Sequence, residues 1–196
     1  QQFFLTGGTA LSYFYLKHRF SEDLDFFSTT EINSKVVLGW VSRASKEAKV
    51  KSVEQQTLAS QEIFYFHFGK SSFLKVDFAY FPFDHLGEFK KYNWLRVTSL
   101  EDITVNKLQA VITRKRARDY VDLYLGLKKL AWTLPEVRKN YQLKFETRVS
   151  AEQLATAFVN VLDAKDEPKF IGSINFEEVK EYFLDLAKSL KKEFII

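Results

Sequence analysis

Asp23 and Asp25 stand one residue apart in HRFSEDLDFF, residues 18–27, a run that closes on two phenylalanines. In an extended strand side chains alternate between faces, so both aspartates point one way while Leu24 and Phe26 point the other, into a core. A later stretch, FLKVDFAYF at 73–81, repeats the arrangement, with Phe73, Lys75 and Asp77 on one face and Leu74, Val76 and Phe78 on the other. Two neighbouring strands of this kind would gather Asp23, Asp25 and Asp77 on one surface of a sheet. Three carboxylates at close range do not ionise together without a cation. A hard divalent ion answers that need. Mg²⁺ is favoured, with Mn²⁺ as its substitute, because a few carboxylates leave room for water and substrate phosphates. Two such ions about 3.5–4 Å apart would clamp the attacking and leaving oxygens of a phosphoryl group. Asp-x-Asp alone is commonplace in surface strands and turns, so that spacing does not make the case unaided.

What strengthens it lies upstream. Gly7-Gly8 lets backbone N–H groups approach an anion closely, and the helix that follows offers its positive N-terminus. Thr9 is placed to cap that helix or to touch phosphate. A phosphate cradle beside an acidic strand is an arrangement for a nucleoside triphosphate. Further on, in SLEDITVNKLQAVITRKRARDYVDLYLGL, Lys107 falls four residues after Ile103 and four before Val111, within the apolar arc of a helix. A lysine there needs a carboxylate or triphosphate partner, or it snorkels at the edge of the arc. Arg114 shares its face. Asp119 and Asp122, three apart on the next helix, share a face of their own. They are available to accept a proton, to position Lys107, or to pair with Arg116, Arg118 or Lys128 on the surface.

The elements that must position these residues are read from periodicity. Strands are expected at Phe3–Thr6, Asp23–Phe27, Val50–Gln56, Glu62–Gly69, Phe73–Phe81 and Leu95–Val97. Helices are expected at Thr9–Lys17 and Ser34–Ala48, then at 100–113, 118–130, 135–146, 151–163 and 175–193. Ser99 and Asp102 open the first of the later helices with a capping box. The fold class is α+β: an N-terminal mixed sheet with flanking helices over residues 1–97, then a helical bundle over 98–196. A cleft between the two is the default ligand site.

Composition limits the alternatives. The 196 residues are 46% hydrophobic, with 20 Phe, which is material for a core. No run approaches the roughly 18 apolar residues of a membrane helix, and the opening residues carry no basic leader region, so neither span nor signal peptide is expected. Cys is absent, which removes disulfides and thiolate metal sites and suits the cytoplasm. The net charge of +4 is concentrated in Arg114-Lys115-Arg116-Ala117-Arg118 and in Lys188, Lys191 and Lys192. The first cluster suits a phosphate-bearing partner; the second reads as a solvated helix end. Asp84-His85 reads as structural, because Pro82 suggests a loop and only His67 lies nearby in sequence.

Taken in order, LTGGTALSYFYLKHRFSEDLDFF, LKVDFAYFPF and the lysine-bearing stretch closely resemble the AbiEii/AbiGii toxin family of nucleotidyltransferases, within the polymerase-β-like superfamily. The resemblance covers residues 3 to about 130. It implies a nucleotidyltransferase-like core in which Gly7 and Gly8 face the triphosphate and Thr9 stands where the superfamily often has Ser. It implies Asp23, Asp25 and Asp77 as metal ligands, Lys107 as the lysine holding the nucleotide, and Asp119 as a base or as an orienting group. Arg19 and Ser21 belong to the same signature, with Arg19 binding phosphate or bracing the acidic strand. The activity so implied is transfer of a nucleoside monophosphate from an NTP to an acceptor, an RNA such as tRNA or a protein. The setting is a toxin–antitoxin or phage-defence system, with a separate antitoxin protein as partner and no membrane. A nucleotide- or RNA-binding module without turnover, and a kinase-like phosphoryl transferase, are the alternatives.

Overall fold

The computed structural model describes residues 2–166 and 168–194. The chain forms two compact units. The first comprises Gln1–Ala10, Ser21–Phe83 and Phe89–Thr98; the second comprises Leu11–Phe20, Asp84–Glu88 and Ser99–Ile196.

The first unit is a seven-stranded mixed sheet in the order β3-β4-β5-β2-β1-β7-β6. Its strands are β1 (Phe4–Thr6), β2 (Asp23–Ser28), β3 (Ser52–Leu58), β4 (Gln61–His67), β5 (Phe73–Tyr80), β6 (Lys90–Tyr92) and β7 (Leu95–Val97). The short β6 carries no apolar alternation and was not expected; its pairing with β7, Lys91 opposite Arg96, comes from the tight return at Asn93, whose φ is +53°. Helix α2 (Ser34–Glu47) is capped by Asn33, whose side chain accepts from the Lys35 N–H. Its Val37 and Val41 pack onto Phe64, Phe66, Val76 and Phe78, with Leu24, Phe26 and Trp40 around them. Alternation on β2 and β5 therefore divides the sheet as the sequence predicts: apolar residues meet α2, and the acidic residues lie on the reverse face.

Helix α1 (Gly7–Ala10) follows β1 without a linker and continues as a π-helical stretch, Leu11–Leu16. The helix thus begins two residues earlier than Thr9, because Gly7 itself supplies the bend with φ +71°.

The second unit is helical, with α3 (Leu100–Thr113), α4 (Ala117–Leu130), α5 (Leu134–Phe145), α6 (Ala151–Val159) and α7 (Phe176–Leu190). Their apolar faces share one core that includes Leu108, Val111, Tyr120, Leu123, Leu154, Phe158 and Phe183. Helices α3 and α4 approach closely at Gly126, where an added Cβ would lie 2.5 Å from the Thr104 hydroxyl. Among the described residues, no helix is long and apolar enough to cross a membrane.

The start of α3 is fixed by more than a cap. Ser99 accepts from the Asp102 N–H at 3.1 Å and donates its hydroxyl to the Asp102 carboxylate at 2.7 Å. That carboxylate also accepts from the backbone N–H groups of Leu86 and Gly87 and from the Lys144 ammonium. Burial opposes ionisation of Asp102, but Lys144 and these donors outweigh it and hold the carboxyl below its ordinary value. Both partners of the ion pair are buried. Lys144→Met should therefore cost roughly 3–5 kcal/mol, since it leaves a buried charge without its counter-ion; urea unfolding of the variant measures this, and an unchanged midpoint would show the pair to be neutral. A carboxylate with a depressed folded pKa contributes stability above the unfolded value of about 3.9 and loses it as pH falls through the folded value. Stability of the wild-type chain should therefore decline below about pH 4, and the decline should be shallower in Asp102→Asn, which has no such proton to take up.

Candidate active site

In the first unit, β2 and β5 run parallel, with Asp25 directly opposite Asp77 and Asp23 opposite Lys75. Residues opposite one another in a ladder share a face, so Asp23, Asp25, Lys75 and Asp77 line one surface. Thr6 of β1 is the partner of Asp25 on the other side, and extends the row. The expected gathering of the three aspartates on one face is thus present in the strand register.

Gly7 lies against this row. A Cβ added there would stand 2.7 Å from Asp25 Cγ and closer still to its Oδ2, and the residue also needs its positive φ. Any side chain would occupy the space that gives access to the Asp25 carboxylate. Gly8 is buried in the first turn of α1. Thr9 donates its hydroxyl to the Asp23 backbone carbonyl. It therefore ties α1 to the start of β2, a structural task that leaves only the oxygen lone pairs for a ligand. Ser21 is half-buried two residues ahead of β2.

The charges on this face are incompletely matched. Lys75 Nζ binds Asp77 Oδ2, while among the described residues Asp77 Oδ1 is buried with no hydrogen-bond partner, as is the Thr6 hydroxyl. Hard carboxylate donors, an orphaned buried oxygen and a glycine-cleared approach to Asp25 fit a divalent cation such as Mg²⁺. As they stand, no three His, Cys, Asp or Glu side chains among the described residues converge into a finished cation site. Behind the same strands, on the face toward α2, Phe3, Phe26, Trp40, Phe78 and Trp94 line a hollow of about 260 Å³. It is apolar and faces away from the carboxylates.

The remaining expected residues form a buried network in the second unit. Lys107 Nζ lies 2.7 Å from Asp119 Oδ1 and 2.7 Å from Asp122 Oδ2. Asp119 also accepts a two-pronged contact from Arg114. Asp122 accepts two bonds from Arg19, at 2.8 and 2.7 Å, and one from His18 Nε2 at 2.7 Å. An ionised carboxylate only accepts, so the His18 nitrogen facing it carries the proton. Burial works against every charge here. Lys107, Arg19 and His18 nevertheless hold Asp122 far below the usual carboxylate range, and Lys107 and Arg114 lower Asp119. The two aspartates in return raise Lys107, and Asp122 raises Arg19. Lys107 is therefore no snorkelling side chain at the edge of the apolar arc, and Asp119 and Asp122 are interior residues.

One partner in this network, His18, is not legible in the chain. His18 reads as a helix end, yet it follows the left-handed Lys17, φ +52°, and turns inward. The segment 18–20 is pinned by the tail through bonds from the Phe20 N–H to Lys169 and from the Ile171 N–H to His18. The basic run is also partly committed: Arg114 serves Asp119, Lys115 pairs with Asp163, and Asp166 caps α4 through the Ala117 and Arg118 N–H groups. No local signal announces contacts separated by nearly 50 residues.

An uncharacterized Aquifex aeolicus (strain VF5) protein, aq_aa25, is 26% identical over 189 residues, or 92% of this chain and 84% of its own length. The crystal structure of JHP933 from Helicobacter pylori is similar with TM-score 0.64 at 23% identity, over 98% of this chain and 85% of that one. MenT4, a nucleotidyltransferase toxin from Mycobacterium tuberculosis H37Rv, is similar with TM-score 0.51 at 17% identity, over 97% and 78% of the two chains. These solved structures share the mixed α+β fold. Residues 1–189 match the family described as nucleotidyl transferase AbiEii toxin, type IV TA system. With the match running through nearly the whole sequence, the chain belongs to the AbiEii toxin family and is a nucleotidyltransferase.

Proposed function

We propose that the chain transfers a nucleoside monophosphate from an NTP to an RNA acceptor, tRNA being the leading candidate, in a divalent-cation-dependent reaction. The observation that carries this reading is the Asp25–Asp77 register on a face that Gly7 keeps open. Asp23, Asp25 and Asp77 would hold Mg²⁺ or Mn²⁺, which when bound supplies neutralisation of phosphate charge. Gly7 and Gly8 leave backbone beside Asp25 without side chains in the way, so triphosphate oxygens can approach. In the transfer, the acceptor oxygen bonds to the α-phosphorus, the bond to the bridging oxygen breaks, and pyrophosphate leaves in line.

Lys107 is assigned to the nucleotide. An ammonium has three N–H groups, and among the described residues two are engaged, by Asp119 and Asp122, which leaves one for a phosphate oxygen. Asp119, ionised and held by two cations, is a weak base; we assign it to positioning Lys107 rather than to proton removal. Among the described residues the Arg19 guanidinium bonds to Asp122 and to the Phe20 carbonyl, so we assign it structural support of the same lysine. Arg116 and Arg118, at the start of α4, are the basic residues we assign to the acceptor's backbone. The type IV toxin–antitoxin membership supports an antitoxin partner, a role as toxin in such a system or in phage defence, and action in the cytoplasm, where NTP and RNA are found.

Incubation with each α-labelled NTP, Mg²⁺ and total RNA should label an RNA band and release pyrophosphate, and EDTA should abolish both. Release of nucleoside diphosphate instead would mean γ-phosphoryl transfer, and NTP binding without product would mean a binding module. Asp25→Asn should remove labelling by at least about 100-fold while leaving the circular dichroism spectrum unchanged, as expected for loss of electrostatic stabilisation at the reacting group. Gly7→Ala should lower activity comparably and also cost about 1–3 kcal/mol in denaturant, because it adds backbone strain to the clash with Asp25. Full activity in either variant would remove the acidic face from the reaction.

A further inference from the structure

We propose that Lys75 is a built-in competitor for the divalent cation, an ammonium that occupies Asp77 and must leave it before the cation is fully bound. This rests on the reading that the acidic face holds such an ion, and adds to it a residue that sets the occupancy of that site.

Lys75 lies two residues before Asp77 on β5, hence on the same face, and directly opposite Asp23 on β2. It is therefore flanked by a carboxylate across the ladder and by another along its own strand, and it binds the latter at Oδ2. The second oxygen of Asp77 is buried and, among the described residues, receives nothing. A carboxylate placed for a purely structural pair looks different in this same chain. Asp102 takes a hydroxyl, two backbone N–H groups and an ammonium, and both partners of its ion pair are almost fully buried. Lys75 and Asp77 retain 24% and 15% exposure, which leaves the lysine a route to solvent. A buried carboxylate oxygen without a donor costs free energy that a ligand can recover.

The chemistry of the side chain suits exchange. Lysine carries a compact, strongly hydrated charge on a flexible four-carbon stem, whereas arginine would grip both carboxylate oxygens in a planar fork. An ammonium on one oxygen is thus a replaceable plug. A divalent ion brings twice the charge and accepts both oxygens. It displaces the ammonium toward solvent, and among the described residues the Lys75 side chain makes no other hydrogen bond to break. The same contact accounts for the absence, among the described residues, of three carboxylates already converged on one point: one of them is turned to its lysine.

The test is Mn²⁺ binding to the full chain, followed by electron paramagnetic resonance without nucleotide, in wild type, Lys75→Met and Asp25→Asn. Removal of the competitor should tighten Mn²⁺ binding about 5- to 10-fold, the size expected for loss of an interaction near 1 kcal/mol, while Asp25→Asn should weaken it. In wild-type protein, amine acylation mapped by mass spectrometry should rise several-fold at Lys75 on adding Mn²⁺, with Lys90 as the unaffected reference. Weaker binding in Lys75→Met would show a brace that orients Asp77, and unchanged binding would show a bystander; either overturns the proposal. Tighter binding with no change in Lys75 acylation would reduce the effect to a distant charge and overturn displacement as well. If Asp25→Asn binds Mn²⁺ as wild type does, the cation reading of the acidic face fails first, and the competitor proposal falls with it.

Discussion

Carboxylates brought side by side across a ladder repel one another. Asp25 and Asp77 sit on neighbouring strands, in direct register. At the spacing of paired strands, about 5 Å, and an effective dielectric near 20, two full negative charges oppose each other by roughly 3 kcal/mol. That is a sizeable share of the stability of a domain, commonly about 5–15 kcal/mol, and the Lys75 ammonium bound to Asp77 on β5 offsets part of it. The first unit tolerates the arrangement because its other face is firmly built. Phe26 and Phe78 stack at 5.5 Å with Trp40 edge-on to both, and α2 closes over Phe64 and Val76. Apolar burial on one side of two strands holds unfavourable charges in place on the other, a form of preorganisation that suits electrostatic catalysis.

The second unit solves the opposite problem. Six ionisable side chains, His18, Arg19, Lys107, Arg114, Asp119 and Asp122, meet there, all but Arg114 deeply buried. Isolated, each would be costly to desolvate; together they neutralise and hydrogen-bond one another, with Asp122 alone accepting from three side chains at two oxygens. Such a network fixes geometry more than it adds stability. It sets the ammonium of Lys107 between two carboxylates and leaves it few alternative positions.

The two carboxylate environments differ in completeness. Asp102, Asp119 and Asp122 are saturated with donors and lie below the usual carboxylate range. Among the described residues, Asp77 has Lys75 on one oxygen and no hydrogen-bond partner on the other. A carboxylate oxygen left without a donor leaves free energy for a ligand to recover.

How much of this was legible beforehand follows the range of the forces involved. Period-two alternation in DLDFF and FLKVDFAYF gave the strands, their faces and the shared surface of Asp23, Asp25 and Asp77. The boundaries of α3, from Ser99 through Thr113, followed from a cap and a helical period. Each is a property of a few consecutive residues. The partners of the charged groups are not. Lys107 meets Asp119 and Asp122 only because α3 and α4 pack through Gly126 and Thr104. Arg19 reaches Asp122 across 103 residues, and Lys144 reaches Asp102 across 42. Lys75 was visible on the acidic face, but its choice of Asp77 over Asp23 depends on side-chain reach and local charge. By itself the sequence determined which residues share a face and which elements carry them, because the backbone's own periodicity is short-ranged. Tertiary structure alone decided which opposite charges meet, because desolvation makes a buried ion pair depend on everything packed around it.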